Sequence, residues 1–115
     1  MKKLFSLLVV LLLVCSVVGC NKDNKDKETI KLGSAGPLSG SVSIYGLAVK
    51  EGVELAVEEI NAAGGVNVNG EMKKLELVDF INDEADAKKS AAALTSLISK
   101  DVDVVVGAVT SGATE

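Results

Sequence analysis

The sequence predicts an α/β fold in which strands and helices alternate as β-α-β-α-β, and three observations support this. Apolar runs of strand length alternate with longer segments whose apolar residues recur at helical spacing. Glycine or proline separates several of these segments, as expected of turns. Strands that alternate with helices form a parallel sheet with helices on its faces. Right-handed crossovers then favour the doubly wound strand order 2-1-3, with one helix on each face.

The first strand is predicted at residues 29–35, where Gly36-Pro37 ends an apolar stretch. The first helix is predicted at residues 45–63, and Gly64-Gly65 ends it. Five apolar side chains recur within this helix at helical spacing, namely Val49, Val53, Ala56, Val57 and Ile60.

The second half of the chain repeats this alternation. A loop with Asn67, Asn69 and Gly70 leads to a second strand at residues 73–80. A second helix follows the turn at residues 81–86 and ends near residue 100. Its predicted buried stripe consists of Ala87, Ala91, Leu94 and Ile98. The third strand, residues 102–106, is nearly all valine, which is typical of a strand buried on both faces.

The N-terminal segment, residues 1–19, is typical of a lipoprotein signal peptide, which an exported protein carries. Residues 1–19 combine two lysines with an apolar run that is shorter than the roughly 20 residues a membrane span needs. The run ends in Val17-Val18-Gly19-Cys20, which resembles the lipobox of bacterial lipoproteins, so Cys20 is the predicted site of lipid attachment. An ordinary secreted protein with a chance cysteine is the alternative. Residues 20–28 are predicted to be the lipidated cysteine and a polar tether. Residues 29–115 are predicted to be the folded part.

Composition excludes several classes of function. Residues 20–115 carry 10 lysines, no arginine and 16 acidic residues, so nucleic-acid binding is disfavoured. The chain has no histidine, and its two cysteines are Cys15 and Cys20, so it lacks the side chains for a zinc site or a Ser/His/Asp triad. A carboxylate pair still permits acid/base chemistry. We expect a binding protein that is not an enzyme and has no cofactor, outside the cytoplasm on the cell surface or in the periplasm.

The acidic segment at residues 82–86 raises the question of a metal site. It lacks the glycine and the distal glutamate of a calcium loop. Asp83 or Asp86 is instead expected to accept amide hydrogen bonds at the start of the second helix.

The order 2-1-3 places a switch point between the first and third strands, where a crevice for a ligand opens. The loops that border this crevice are residues 36–45 and 107–113. They contain small, hydroxylated and aromatic residues suited to a polar ligand, namely Ser39, Gly40, Ser41, Ser43, Tyr45, Thr110, Ser111 and Gly112.

Four stretches resemble one known family. They are AGPLSG at residues 35–40, YG at 45–46, GVELAVEEIN at 52–61 followed by GGV at 64–66, and GAVTSGAT at 107–114. The chain is similar here to the leucine/isoleucine/valine-binding proteins, which are extracytoplasmic receptors of amino acid ABC importers with the type I periplasmic-binding-protein fold. The resemblance implies an amino acid ligand, ABC permease subunits as partners and the membrane as the anchoring surface.

The resemblance also implies roles for single residues. Ser111, with backbone amides of neighbouring Thr110 and Gly112, is expected to bind the α-carboxylate of an amino acid. Tyr45 is expected to line the pocket against the ligand side chain. A purely structural role remains the alternative, because the side chains of Thr110, Ser111 and Thr114 are also of the type that caps a helix. Tyr45 equally suits packing at the start of a helix.

Two other functions remain open, and the length of the chain adds one expectation. A sensing domain of the same fold would report to a membrane partner, and fold alone does not separate it from a transport receptor. A Rossmann-type nucleotide-binding enzyme is disfavoured, because residues 33–40 lack the GxGxxG spacing and Pro37 has no amide hydrogen. Family receptors have two lobes, so residues 29–115 are expected to be the first half of one lobe, whose third strand has an unpaired edge.

Overall fold

The computed structural model describes residues 28–114, so the predicted signal peptide, Cys20 and most of the polar tether lie outside the described residues. The elements occur in the order β1 (Thr29–Gly36), α1 (Ser43–Ala62), β2 (Val66–Val68), β3 (Glu71–Asn82), α2 (Ala87–Ser99) and β4 (Val104–Val106). A short 3-10 helix, Ser111–Ala113, follows β4.

The four strands form one sheet in the order β2-β3-β1-β4. The central strand β1 runs parallel to β3 on one side and to β4 on the other. Leu32 of β1 lies opposite Leu77 of β3 and Val104 of β4. The predicted parallel sheet is therefore confirmed. The predicted strand order 2-1-3 is confirmed as well, and it corresponds to the observed order β3-β1-β4.

β2 and the start of β3 form a hairpin, in a segment for which the sequence predicts a loop. Val66–Val68 pairs antiparallel with the start of β3, with Val66 opposite Lys73 and Val68 opposite Glu71. The turn between the strands is Asn69-Gly70, with φ angles of 53° and 92°. Two positive φ angles in a two-residue turn match the right-handed twist of a hairpin, and Asn-Gly is the dipeptide that adopts them best. The loop prediction for this segment was wrong, and β3 begins at Glu71 instead of residue 73.

The two helices cover opposite faces of the sheet, as predicted. Leu32 and Val106 line a cleft together with side chains of α1. On the other face, a Cβ atom added to Gly33 would lie 2.7 Å from Leu97 Cδ2 of α2. Because consecutive strand residues point to opposite faces, Leu32 and Gly33 place α1 and α2 on different sides of β1.

The buried face of α2 differs from the prediction. Ser90, Ala93 and Leu97 are buried, whereas the predicted stripe of Ala87, Ala91, Leu94 and Ile98 is exposed. Both rows have helical spacing, so periodicity alone did not distinguish them. Because Gly33 has no side chain, β1 leaves a space that Leu97 fills. This contact sets the rotation of α2 about its axis, with Leu97 toward the sheet.

The third parallel strand is shorter than predicted, and its valines are more exposed to solvent than predicted. β4 comprises residues 104–106, and the side chains of Val104 and Val106 are 48% and 37% exposed. The interpretation as a strand buried on both faces was therefore wrong. Among the described residues β4 pairs with one strand, β1.

The space between α1 and the sheet is an open apolar cleft of about 340 Å³. It is lined by Leu32, Val49, Gly52, Val53, Ala56, Val57, Ile60, Leu75 and Val106. The apolar side of α1 predicted from periodicity therefore faces the sheet, although it is only partly covered there. Within residues 28–114, no helix is both long enough and apolar enough to cross a membrane.

The end of α1 is fixed to the sheet by Asn61. Its Nδ2 donates a hydrogen bond to the carbonyl oxygen of Leu75 at 2.8 Å, and its Oδ1 accepts one from the Leu75 amide at 2.8 Å. Leu75 lies near the start of β3, so this pair of bonds sets where α1 ends relative to the strand that follows the hairpin.

Candidate ligand-binding crevice at the switch point

The carboxyl ends of β1 and β4 lie side by side, and the chain leaves them toward opposite faces of the sheet. Residues 37–42 lead from β1 to α1 on one face. After β4, the 3-10 helix Ser111–Ala113 contacts α2 on the other face. Diverging loops at the carboxyl ends of neighbouring parallel strands are the geometry in which α/β folds bind ligands. The structure thus confirms the predicted switch point, where we expect the ligand crevice.

The end of β1 and the loop after β4 approach each other closely because each has a glycine at the contact. A Cβ atom on Gly36 would lie 2.6 Å from Val109 Cγ2, and one on Gly107 would overlap the carbonyl oxygen of Ala35. Gly107 also has a φ of 138°, which residues with side chains rarely adopt. Beneath them the fully buried Ser34 Oγ donates a hydrogen bond to the Val106 carbonyl. This hydroxyl links β1 to the last residue of β4 and fixes where the second loop begins.

Tyr45 lies in the first turn of α1, which follows the loop after β1. Its side chain is 61% exposed, and the neighbouring Ile44 is 70% exposed. A tyrosine that packs in a core buries most of its ring. Within the described part of the chain, the Tyr45 ring is therefore mostly uncovered, and its role in a ligand pocket stays a prediction.

The loop after β4 contains Thr110, Ser111 and Gly112, and the Thr110 hydroxyl is buried without a hydrogen-bond partner among the described residues. Thr110 is extended and precedes the 3-10 helix, but its side chain makes no capping hydrogen bond. Ser111 and Gly112 are exposed, and their amides fall at the helix start, where N–H groups have no partner within the helix.

A third hydroxyl in this loop acts locally. Thr114 Oγ1 lies 3.0 Å from the carbonyl oxygens of both Thr110 and Ser111, to which it can donate. The side-chain capping that the sequence left open is thus absent at Thr110, and the Ser111 side chain faces solvent.

The walls of the crevice carry no charge. Residues 36–45 and 107–114 include no aspartate, glutamate, lysine or arginine. The groups available to a ligand are hydroxyls, backbone amides and one aromatic ring. Neutral donors of this kind bind a carboxylate by hydrogen bonding without a counter-charge.

The acidic segment after β3 acts in local structure. Asp86 is the N-cap of α2, and its Oδ1 accepts a hydrogen bond from the Lys89 amide at 2.9 Å, so the capping prediction is confirmed. Asp83 is fully buried, and its Oδ1 accepts one from the Ala85 amide at 2.9 Å. The exposed Lys89 ammonium hydrogen-bonds Glu84, and this contact raises the pKa of Lys89 above its usual 10.5.

Sequence reasoning missed Asn82, which it grouped with the acidic segment. Asn82 is the last residue of β3 and lies opposite Gly36, the last residue of β1. Its side chain hydrogen-bonds the loop that follows β1. A hydrogen-bonding side chain at the carboxyl end of a strand beside β1 was the signal available in the sequence.

Comparison with known proteins agrees with the fold. Residues 29–115 match the periplasmic binding protein family. The leucine-, isoleucine-, valine-, threonine- and alanine-binding protein of Pseudomonas aeruginosa is 35% identical over 115 residues, which are all of this chain and 30% of that protein. The Leu/Ile/Val-binding protein BraC3 of Rhizobium johnstonii is 41% identical over 83 residues, 72% of this chain and 21% of the relative.

Solved structures show the same similarity. LivJ of Streptococcus pneumoniae, the substrate-binding protein of a branched-chain amino acid transporter in complex with isoleucine, matches with a TM-score of 0.65 and 44% identity, over 75% of this chain and 24% of LivJ. A periplasmic binding protein type 1 from Bordetella pertussis matches with a TM-score of 0.63 and 34% identity, over 74% of this chain and 22% of that protein. This chain spans less than a third of the length of these four relatives. The resemblance inferred from the four sequence stretches is confirmed, and the chain belongs to the periplasmic binding protein family, with the type I fold.

Proposed function

We propose that the protein is an extracytoplasmic receptor that captures branched-chain or related amino acids for an ABC importer. The observation that carries the proposal is the uncharged loop after β4, where Ser111 is exposed beside the start of the 3-10 helix. A hydroxyl and neighbouring amides that converge on one point bind a carboxylate. Every α-amino acid carries such a carboxylate, so this loop recognises the class and leaves the choice of side chain to other groups.

The side of the crevice formed by α1 supports an apolar ligand side chain. Tyr45 presents its exposed ring there, with Ile44 beside it in the sequence. An aliphatic side chain buries apolar area against such a ring without leaving polar groups unpaired. Leucine, isoleucine and valine therefore fit this wall better than acidic or basic amino acids. The relatives named above are solute-binding proteins, which supports binding without catalysis.

The proposal includes a lipid anchor at Cys20. Its support is the sequence alone, in which an apolar run of signal-peptide type ends at Gly19-Cys20. Acyl chains on one cysteine hold a protein at a membrane, since each buried methylene contributes about 0.8 kcal/mol. Cys20→Ala is expected to move the protein from the membrane fraction to the soluble fraction of its native cells. An unchanged membrane fraction would remove the anchor from the proposal.

Calorimetric titration with L-leucine tests the binding function. The relatives are more than three times as long as this chain, so the titration uses the protein as its native cells produce it. We expect leucine to bind and Ser111→Ala to weaken binding by roughly tenfold to a hundredfold, the loss from one hydrogen bond to a charged group.

The matched control is Ser99→Ala. Ser99 is an exposed serine at the end of α2, and its hydroxyl bonds a carbonyl within its own helix. It is expected to leave the leucine affinity unchanged. Wild-type protein that binds no aliphatic amino acid would contradict the proposal, and equal affinity in Ser111→Ala and wild type would contradict the role of Ser111.

A further inference from the structure

We infer that Asn82 is a positioning residue for the crevice, one that holds the loop after β1 and thereby the ring of Tyr45. The Asn82 side chain makes hydrogen bonds to Leu38, Ser39 and Glu84, which together we call the Asn82 bridge. The effect on ligand binding rests on the proposed function, whereas the effect on the loop does not.

The Asn82 bridge joins two segments that are distant in sequence. Asn82 Oδ1 accepts hydrogen bonds from the amide of Leu38 at 2.8 Å and from the amide of Glu84 at 3.1 Å. Its Nδ2 donates to Ser39 Oγ at 2.9 Å. One side-chain amide thus uses both ends to connect the loop after β1 with the turn after β3. Asn82 is itself fixed, because it is the last residue of β3 and pairs with Gly36.

The loop that Asn82 holds has few other connections to the sheet. Ser39, Gly40 and Ser41 are exposed. The backbone bond from the Ser43 amide to the Gly40 carbonyl, at 3.3 Å, stays within the loop. The first turn of α1 has no side-chain cap either, because its N-cap residue is Val42. The hydrogen bonds that Asn82 makes and the buried Pro37 therefore hold this loop in position.

A close contact transmits the position of the loop to Tyr45. Gly46 is buried against Pro37, and a Cβ atom on Gly46 would overlap the Pro37 carbonyl group. Pro37 immediately precedes Leu38, whose amide is bonded to Asn82. A shift of the Leu38 backbone therefore moves the surface on which the first turn of α1 rests. Tyr45, the residue before Gly46, moves with it.

The chain contains its own reporter for this test. Tyr45 is the single tyrosine and there is no tryptophan, so tyrosine emission reports Tyr45 alone. The measurement is the fluorescence anisotropy of Tyr45 in the ligand-free chain of 115 residues, kept in dodecyl maltoside because of the apolar run near its N-terminus. Circular dichroism confirms that each variant is folded. A tighter loop gives higher anisotropy, since local motion of the ring is restricted.

Asn82→Ala is expected to lower the anisotropy of Tyr45 below the wild-type value. Asn82→Asp, a separate variant, is expected to keep the wild-type anisotropy. The aspartate keeps an oxygen that accepts from Leu38 and Glu84, and its second oxygen accepts from the Ser39 hydroxyl in place of the lost donor. Ser39→Ala removes that one bond without changing β3, and is expected to lower the anisotropy by less than Asn82→Ala. It also keeps the test decisive if Asn82→Ala does not fold.

Asn67→Ala is the matched control. Asn67 Oδ1 also accepts from a backbone amide, that of Gly70, but in the β2–β3 hairpin. We expect no change in Tyr45 anisotropy for this variant. In the protein from native cells, Asn82→Ala is expected to weaken leucine binding about tenfold, because a loop that is no longer held in place must be ordered when the ligand binds.

The outcomes separate this inference from the proposed function. Unchanged anisotropy in both Asn82→Ala and Ser39→Ala would overturn the inference, as would an equal loss in Asn67→Ala. A lower anisotropy in Asn82→Ala, with the wild-type value kept in Asn82→Asp, would establish Asn82 as a positioning residue. If leucine then failed to bind the wild-type protein, the proposed function would fall while the Asn82 bridge stood.

Discussion

Gly46→Ala is expected to destabilise the fold by about 3 kcal/mol, at the upper end of the cost of overpacking. The added methyl group would overlap the backbone of Pro37, where no flexible side chain can move away. Either α1 must tilt or the loop after β1 must shift. The free energy of unfolding, from urea titrations followed by circular dichroism, measures the effect.

Gly52→Ala is the control on the same helix. A Cβ atom at Gly52 meets no atom within 4 Å. Alanine has the higher helix propensity, so this variant is expected to gain about 0.5 to 1 kcal/mol of stability. Equal and small effects of the two substitutions would contradict the close contact between α1 and Pro37.

Leu97→Ala is expected to cost about 3 kcal/mol of unfolding free energy, through lost burial and the cavity left behind. Leu97 is fully buried, the largest such side chain among the described residues, and lies against Gly33 of the central strand. The same urea titrations measure the loss. Because few side chains in residues 28–114 are fully buried, this one carries a large share of the packing of α2.

Ile98→Ala tests the correction to the buried face of α2. The Ile98 side chain is 69% exposed, so its truncation is expected to change stability by less than about 0.5 kcal/mol. A larger loss for Ile98→Ala than for Leu97→Ala would mean that the stripe predicted from periodicity faces the sheet after all.

Sequence patterns predicted the long-range order of the sheet because chain connectivity restricts it. Alternating strands and helices with right-handed crossovers leave few arrangements, and the order of β3, β1 and β4 is one of them. Local details depended on tertiary contacts. The space at Gly33 determines which face of α2 packs on the sheet. The apolar periodicity of the helix alone does not predict that space, because it belongs to another element.

The hairpin could have been predicted, whereas the exposure of β4 could not. Asn69-Gly70 is a strong hairpin signal in itself, whereas the sequence analysis interprets it as part of a loop. A valine run has the same composition whether or not another element covers it, so sequence did not reveal that Val104 and Val106 are exposed.

The candidate site was predictable in outline. The switch point follows from strand order, and the residues around it follow from the loops that leave β1 and β4. The missing side chain at Gly36 and the contact of Gly46 with Pro37 are spatial facts that place the two loops, and they required coordinates. The Asn82 bridge belongs to the same class, because it connects residues 44 positions apart in sequence.

The most direct test of the central claim is a nitrogen-15 correlation spectrum of the protein from native cells, titrated with L-leucine to millimolar concentration. The account predicts that the amide resonances of Ser111 and Gly112 shift with leucine, because these groups bind the carboxylate. Leucine methyl ester, which lacks that charge, is predicted to cause much smaller shifts at the same positions. Unchanged amide resonances at Ser111 and Gly112 throughout the leucine titration, or equal shifts with the ester, would contradict the claim that the loop after β4 is a carboxylate site.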